Sequence, residues 1–177
     1  MKNILFLFAL LIAGTVSAQK INWMSMNDAL AAQKKMPKKI FMDVYTIWCG
    51  PCKMLDANTF SDKNVIDFIN KNYYAVKFNA EGTEQIKHLD ATYGNPEYQE
   101  GLKGRNARHS FAQAMNVTAY PSLAFFDTDG KLIQAIPGYR TPKDLEIFLK
   151  MIQNNDYKEI TTAEKWKEYQ ENFKGTF

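Results

Sequence analysis

The sequence predicts an α/β fold in which a central mixed sheet is flanked by helices on both faces. Three observations predict it. The apolar run Ile40–Tyr45 reads as a buried strand. Helical spacings and strand-like runs alternate along the chain rather than segregating into separate halves. Leu123–Phe126 and Leu132–Ile136 flank the turn residues Asp127–Gly130, which reads as a hairpin and brings an antiparallel pair into the sheet.

Taken in order, Trp23–Lys35 has Met26, Ala29, Leu30 and Gln33 at helical spacing, with Ser25 or Asn27 as cap, and Met36-Pro37-Lys38-Lys39 ends it. The strand over 40–45 follows, then a helix from Pro51 to about Asn58. Phe60-Ser61-Asp62 breaks the chain, and Ser61 or Asp62 can cap a helix through Val65, Ile66, Phe68 and Ile69. Tyr73–Phe78 alternates as a strand. Glu84–Thr92 reads as a short helix, 93–104 as a loop with three glycines and Pro96, and Arg105–Met115 as a helix. Val117–Pro121 is a turn before the hairpin. Thr141-Pro142-Lys143-Asp144 is a strong helix start, and that helix runs to about Gln153. A last helix over 162–173 carries a stripe of Trp166, Tyr169 and Phe173 that docks on the domain.

The 177 residues allow one domain with added elements, and 46% hydrophobic with 23% charged residues is ordinary for a globular chain. The formal charge of +3, with lysines spread and no basic stripe, argues against nucleic acid as a partner. Residues 1–18 read as an export signal: Lys2, an apolar core from Ile4 to Ile12, and the small-residue exit Val16-Ser17-Ala18, with cleavage after Ala18. The run is shorter than the ~18 residues a membrane span needs, so no stable membrane insertion is expected after cleavage. Residues 19–155 then form the domain, with an insertion at about 93–108, and 156–177 form a helical extension.

The two cysteines of the chain stand in Trp48-Cys49-Gly50-Pro51-Cys52, where the strand gives way to a helix. Cysteines at this spacing on a first helical turn face the same side and can close a short disulfide. Unpartnered N–H groups at a helix start favour a thiolate at Cys49 and lower its pKa. Pro51 suits a first turn because its missing N–H costs little there. A two-residue loop constrains the unfolded chain weakly, which disfavours a purely stapling role. A zinc site would need more ligands than this pair with His88 and His109, and both histidines are assigned to solvated helix faces. The expectation is a redox-active pair with no metal and no other cofactor.

Trp48-Cys49-Gly50-Pro51-Cys52-Lys53 resembles the active site of the thioredoxin family, over roughly Trp23 to Gln153. The lead-in helix, Phe60-Ser61-Asp62 and Asn79-Ala80-Glu81-Gly82 are more similar to its secreted and membrane-tethered relatives, such as the C-terminal domain of the transmembrane thiol:disulfide interchange reductase. The resemblance implies a thioredoxin fold, and an exported, periplasmic or secreted thiol–disulfide oxidoreductase acting on protein thiols and disulfides and fed by a membrane electron donor. Cys49 is the candidate nucleophile, expected to be the accessible sulfur, and Cys52 the resolving thiol, expected to be more buried. Asp43 falls in the apolar run, where a carboxyl is costly. By the resemblance it accepts the proton of Cys52; alternatively strand alternation turns it to solvent. Lys77 matches a family lysine that approaches the buried acid, or is an exposed strand lysine. Tyr120-Pro121 resembles the cis-proline loop that lies against the disulfide and offers backbone to a bound segment, with Tyr120 larger than the family's usual residue. Gly138 matches a glycine that lets a partner approach, or is a turn glycine. Trp48, Gly50 and Pro51 complete the expected substrate face, unless Trp48 is plain core. Three functions follow: a reductase of protein disulfides, an oxidase or isomerase, or a non-catalytic binding module.

Overall fold

The computed structural model describes residues 19–177; the export signal read at residues 1–18 lies outside the described residues. The main sheet has the order β1-β3-β2-β6-β7. Its strands are β1 (Trp23–Met24), β2 (Lys39–Tyr45), β3 (Tyr73–Asn79), β6 (Ser122–Phe126) and β7 (Leu132–Pro137). β3 pairs parallel with β1 and β2, while β6 runs antiparallel to β2 and β7, so the sheet is mixed.

β2 is the centre. Its first six residues are all buried, because both faces of the sheet are covered and successive side chains enter opposite cores. Phe41 joins Tyr73, Ala75, Leu123 and Phe125 in one core, under α3 (Lys63–Asn72) and α5 (Pro142–Asn154). Ile40, Met42 and Val44 join Val76, Phe78 and Phe126 in the other, under α1 (Met26–Lys35) and the short α4 (Ser110–Ala114). Helix starts follow the expected chemistry. Ser25 caps α1, Asp62 caps α3 with two backbone bonds, and Thr141 with Asp144 forms a reciprocal capping box on α5.

Three expectations are corrected. Trp23–Met24 is a short strand beside β3 rather than helix, and Ser25 starts α1 only after it. Residues 84–92 are not helical: β4 (Ile86–His88) and β5 (Ala91–Tyr93) form a separate hairpin. Ile86 and His88 are buried while Lys87 is exposed, which is a period of two, and Asn27 of α1 bonds both Gln85 O and the Lys87 N–H, as a neighbouring strand would. The helix expected over 105–115 shrinks to α4, since Asn106 and Arg108 are bonded elsewhere and His109 is the cap.

The histidines are not solvated. His88 is 7% exposed with Nε2 on Gly130 O at 2.6 Å, and its ring lies against Phe111 and Phe126. His109 is fully buried, with Nε2 on Glu84 O at 2.6 Å and Nδ1 accepting the Phe111 N–H at 3.0 Å. Those two bonds require the neutral ring with its proton on Nε2.

The C-terminal segment packs on α5. Trp166 of α6 (Ala163–Asn172) stacks on Phe148 at 5.4 Å. The tail returns to Glu146, whose buried carboxylate accepts the N–H groups of Thr176 and Phe177 and pairs with Lys150 at 2.6 Å.

Burial lowers the pKa of His109 below its usual value, against the opposing bond to Glu84 O. The unfolded chain therefore takes up the proton near pH 6.5 and the folded chain only lower, so this residue's stabilisation is present above pH 6.5 and lost as the pH falls. A His109→Phe variant keeps a ring but orphans the Phe111 N–H, and should lose about 1–3 kcal/mol at pH 7.5 in urea unfolding. The gap to wild type should narrow at pH 5.5; a gap of constant width would exclude the neutral-histidine cap.

Candidate active site

β2 delivers the chain at the sheet edge where β3 also ends, since the parallel register sets Tyr45 opposite Asn79. The Cys49 N–H turns back to Thr46 O at 3.2 Å, and Cys49 becomes the cap of α2 (Gly50–Met54), with Pro51 in its first turn. Cys49 and Cys52 are joined in a disulfide, with Cα atoms 5.3 Å apart. Cys49 Sγ lies 3.1 Å from the Cys52 N–H, at the partial positive end of the helix.

The expected difference in exposure is not present in this disulfide form: both cysteines are 2% exposed. The closed ring folds the Cys49 side chain back over the first turn, so its sulfur spends its open face on Cys52. Gly50 and Pro51 are the exposed tip.

Asp43 is 0% exposed, and strand alternation does not turn it to solvent because α2 and the π turn after it (Leu55–Thr59) cover that face. Its register partners are Lys77 on β3 and Leu123 on β6. Lys77 Nζ stands 2.7 Å from Asp43 Oδ2, as an ion pair outside hydrogen-bond alignment, and neither oxygen has a hydrogen bond among the described residues. Burial raises the Asp43 pKa to about 6, with Lys77 opposing and Asp56 adding to the rise. Burial works to lower the Lys77 pKa, but Asp43 and Asp56 outweigh it and the balance is upward. Asp56 was not singled out from the sequence. It lies on the π turn, half exposed, and its Oδ1 accepts from Lys77 Nζ, so Lys77 bridges a dry acid and a wet one. Nothing local in the sequence marks it, because the pairing crosses 21 residues.

Trp48 is not plain core. It is half-buried, its Nε1–H donates to Glu81 Oε2 at 2.8 Å, and the Tyr120 ring meets it edge-on at 6.0 Å. Glu81 is a second residue missed as part of the site. Its signal is topological: residues just after β3 must stand beside the loop that follows β2, and Ala80 N–H bonds Tyr45 O. The Tyr120–Pro121 peptide is cis, and Pro121 O accepts the Gly138 N–H at 2.8 Å. Gly138 has φ +92, a left-handed conformation that by itself accounts for glycine. The segment 93–108 reaches the site: the Asn106 N–H also donates to Glu81 Oε2, and the Arg105 guanidinium lies 4.5 Å above the Trp48 ring.

Among the described residues, no three His, Cys, Asp or Glu side chains converge as a metal-binding group. No helix of the described residues is long and apolar enough to cross a membrane. A cavity of about 570 Å³ between β7, α5 and α6, lined in part by Phe148, Tyr157 and Trp166, shares no residue with the cysteine site.

A disulfide capping a helix at the end of a buried strand, beside a cis-proline turn and a dry carboxyl, defines a thiol–disulfide oxidoreductase of thioredoxin fold. The sequence pattern of the thioredoxin-like domain matches residues 26–153, and the chain belongs to that family. It is 29% identical over 119 residues to the thiol:disulfide interchange protein DsbD of Pectobacterium atrosepticum, an alignment that spans 67% of this chain and only 16% of that relative. Among solved structures it is similar to a thioredoxin-fold protein from Helicobacter pylori, with TM-score 0.57 and 17% identity over 76% of this chain and 81% of that one. It is also similar to a candidate disulphide-isomerase from Bacteroides thetaiotaomicron, with TM-score 0.52 and 26% identity over 77% and 93% of the two chains.

Asp43 sets a pH signature opposite in sign to that of His109. Its folded pKa near 6 exceeds the usual 3.8, so wild-type stability falls as pH rises through that window and stays lower above it. Asp43→Asn should therefore stabilise the oxidised protein by about 2 kcal/mol at pH 8, and the gain should vanish near pH 4. Parallel melting curves of the two proteins would show no pH-dependent difference if the carboxyl were solvated.

Proposed function

We propose that this chain is an exported enzyme that reduces protein disulfides through Cys49 and Cys52. The observation that carries the reading is the pair of sulfurs bonded at the positive end of α2, the helix that follows the strand holding a buried carboxyl whose pKa is raised to about 6. In the reduced form the Cys49 thiolate attacks one sulfur of a substrate disulfide. That S–S bond breaks, a mixed disulfide forms, and the leaving sulfur takes up a proton. Cys52 gives its proton to Asp43, which is ionised at neutral pH and lies in the strand leading to the site, and then attacks Cys49. The second substrate sulfur leaves as a thiolate and takes the proton held on Asp43, which returns to its ionised form. The first leaving sulfur is protonated from solvent, so two electrons pass from the two cysteines to the substrate and the protein returns to the disulfide state seen here.

Lys77 holds Asp43 within titrating range, and Asp56 holds Lys77. Trp48, Gly50, Pro51, Tyr120, Pro121 and Gly138 form the face that a substrate segment would meet, with the backbone beside Pro121 available for strand-like pairing. The cysteines lie directly beneath the exposed tip Gly50-Pro51 and line no part of the cavity by α6, which favours a macromolecular substrate that meets this face. Re-reduction needs an external dithiol. The likeness to part of DsbD, an interchange protein, supports a membrane-held donor. The signal pattern at residues 1–18 supports export to a periplasm or the exterior, and mass analysis of the exported protein should find Gln19 at its N-terminus.

The likeness to a candidate disulphide-isomerase at 26% identity favours one second reading, an isomerase or oxidase. The reduction potential decides between them. Equilibration against glutathione should place this pair near the ~−270 mV of thioredoxin, and a value near the ~−120 mV of a strong oxidant would overturn the reductase assignment. Cys52→Ser should accumulate mixed disulfides on Cys49, and Cys49→Ser should accumulate none. A doubly substituted Cys49→Ser, Cys52→Ser protein that keeps full biological activity would make the chain a binding module instead.

A further inference from the structure

The insertion at 93–108 is a pinned structure. Asn95 Nδ2 donates to Gly82 O at 3.2 Å and to Ala107 O at 2.7 Å, which ties the loop's two limbs to the end of β3. Ser110 and Gly94 share three bonds across its base: the Ser110 N–H and Oγ–H donate to Gly94 O at 3.0 and 2.9 Å, and the Gly94 N–H donates to Ser110 Oγ at 3.0 Å. One carboxylate oxygen, Glu81 Oε2, then accepts both the Asn106 N–H and the Trp48 Nε1–H, so the loop and the tryptophan before Cys49 are positioned by one atom.

What the loop brings to that tryptophan is positive charge. The Arg105 side chain is exposed, its guanidinium lies on the Trp48 ring, and it makes no salt bridge among the described residues. Arg108, also exposed, donates to Val117 O at 3.0 Å, in the turn that leads to Tyr120. Lys53 is exposed on α2 beside Cys52. Of the nearby acids, Glu81 is buried and committed to two donors, while Glu97 and Glu100 stand exposed on the outgoing limb without an ion pair to these cations. A guanidinium stacked on an aromatic ring keeps its planar fork of N–H donors for a carboxylate, and stacking removes part of its freedom in advance.

We propose that the insertion forms a cationic rim, centred on Arg105, that selects substrate disulfides flanked by acidic side chains. This deepens the preceding reading and rests on Cys49–Cys52 as the exchange centre. A substrate segment entering over Trp48 and Tyr120 passes Arg105 before its sulfur reaches Cys49. An Asp or Glu beside the substrate cysteine meets the free fork there, and a Lys or Arg meets like charge.

The test uses the whole described chain, reduced with dithiothreitol and desalted. Three synthetic peptides closed by one internal disulfide, identical except for Glu, Gln or Lys beside the cysteine, are compared with hydroxyethyl disulfide, which is small and uncharged. Wild type should reduce the Glu peptide about fivefold faster than the Gln peptide at low ionic strength, and the ratio should approach one at about 0.5 M salt, where screening is strong. Arg105→Gln should bring the ratio near one, Arg105→Glu should favour the Lys peptide, and Arg105→Lys should retain a reduced preference. All should leave the hydroxyethyl disulfide rate within about twofold of wild type. No charge preference in wild type, or an undiminished one in Arg105→Gln, overturns the rim while the exchange centre stands. A wild type inert toward hydroxyethyl disulfide overturns both.

Discussion

A fully buried carboxyl group with no hydrogen bond among the described residues sits in the middle of this sheet, and the neighbouring architecture is arranged around its cost. Isolating an ionised carboxylate in a protein interior costs several kcal/mol unless a partner compensates. At Asp43 the partner is Lys77, set opposite by the parallel register of β2 and β3. Lys77 is in turn steadied by Asp56 and by the rings of Trp23, Tyr45 and Phe60, each within 5.3 Å of its Nζ. The result is a charge that is tolerated rather than comfortable, at a position one strand end away from the two sulfurs.

Much of the fold was legible because its signals are local. The unbroken apolar run over 40–45, the caps at Ser25, Asp62 and Thr141, and the turn at 127–130 each announce an element from within a few residues. The failures share a cause. The β4–β5 hairpin depends on Asn27 standing beside it, His109 on a carbonyl of Glu84, and the early strand at Trp23 on the open edge of β3. Each is decided by a partner far along the chain, which no window of neighbouring residues contains.

The same division holds at the site. Cys49 and Cys52 could be singled out by residue type and spacing, and Asp43 by its apolar run together with the family resemblance; Asp43 lies on β2, Cys49 caps α2 and Cys52 lies within it. Asp56 and Glu81 could not be found that way. An exposed acid on a helix and an acid after a strand are commonplace in sequence, and only the tertiary pairing with Lys77 and Trp48 distinguishes them. The equal shielding of the two sulfurs is likewise a property of the closed ring and not of either residue.

The segment that follows α5 leaves it, forms α6, and comes back to the same helix. Glu146 receives the N–H groups of Thr176 and Phe177, thirty residues later, while Trp166 leans on Phe148 midway. A stretch fastened at both ends and once in between is a closed bight and not a dangling arm. Both of its ends are held by one helix, and the entropic cost of closing such a loop grows only slowly with its length.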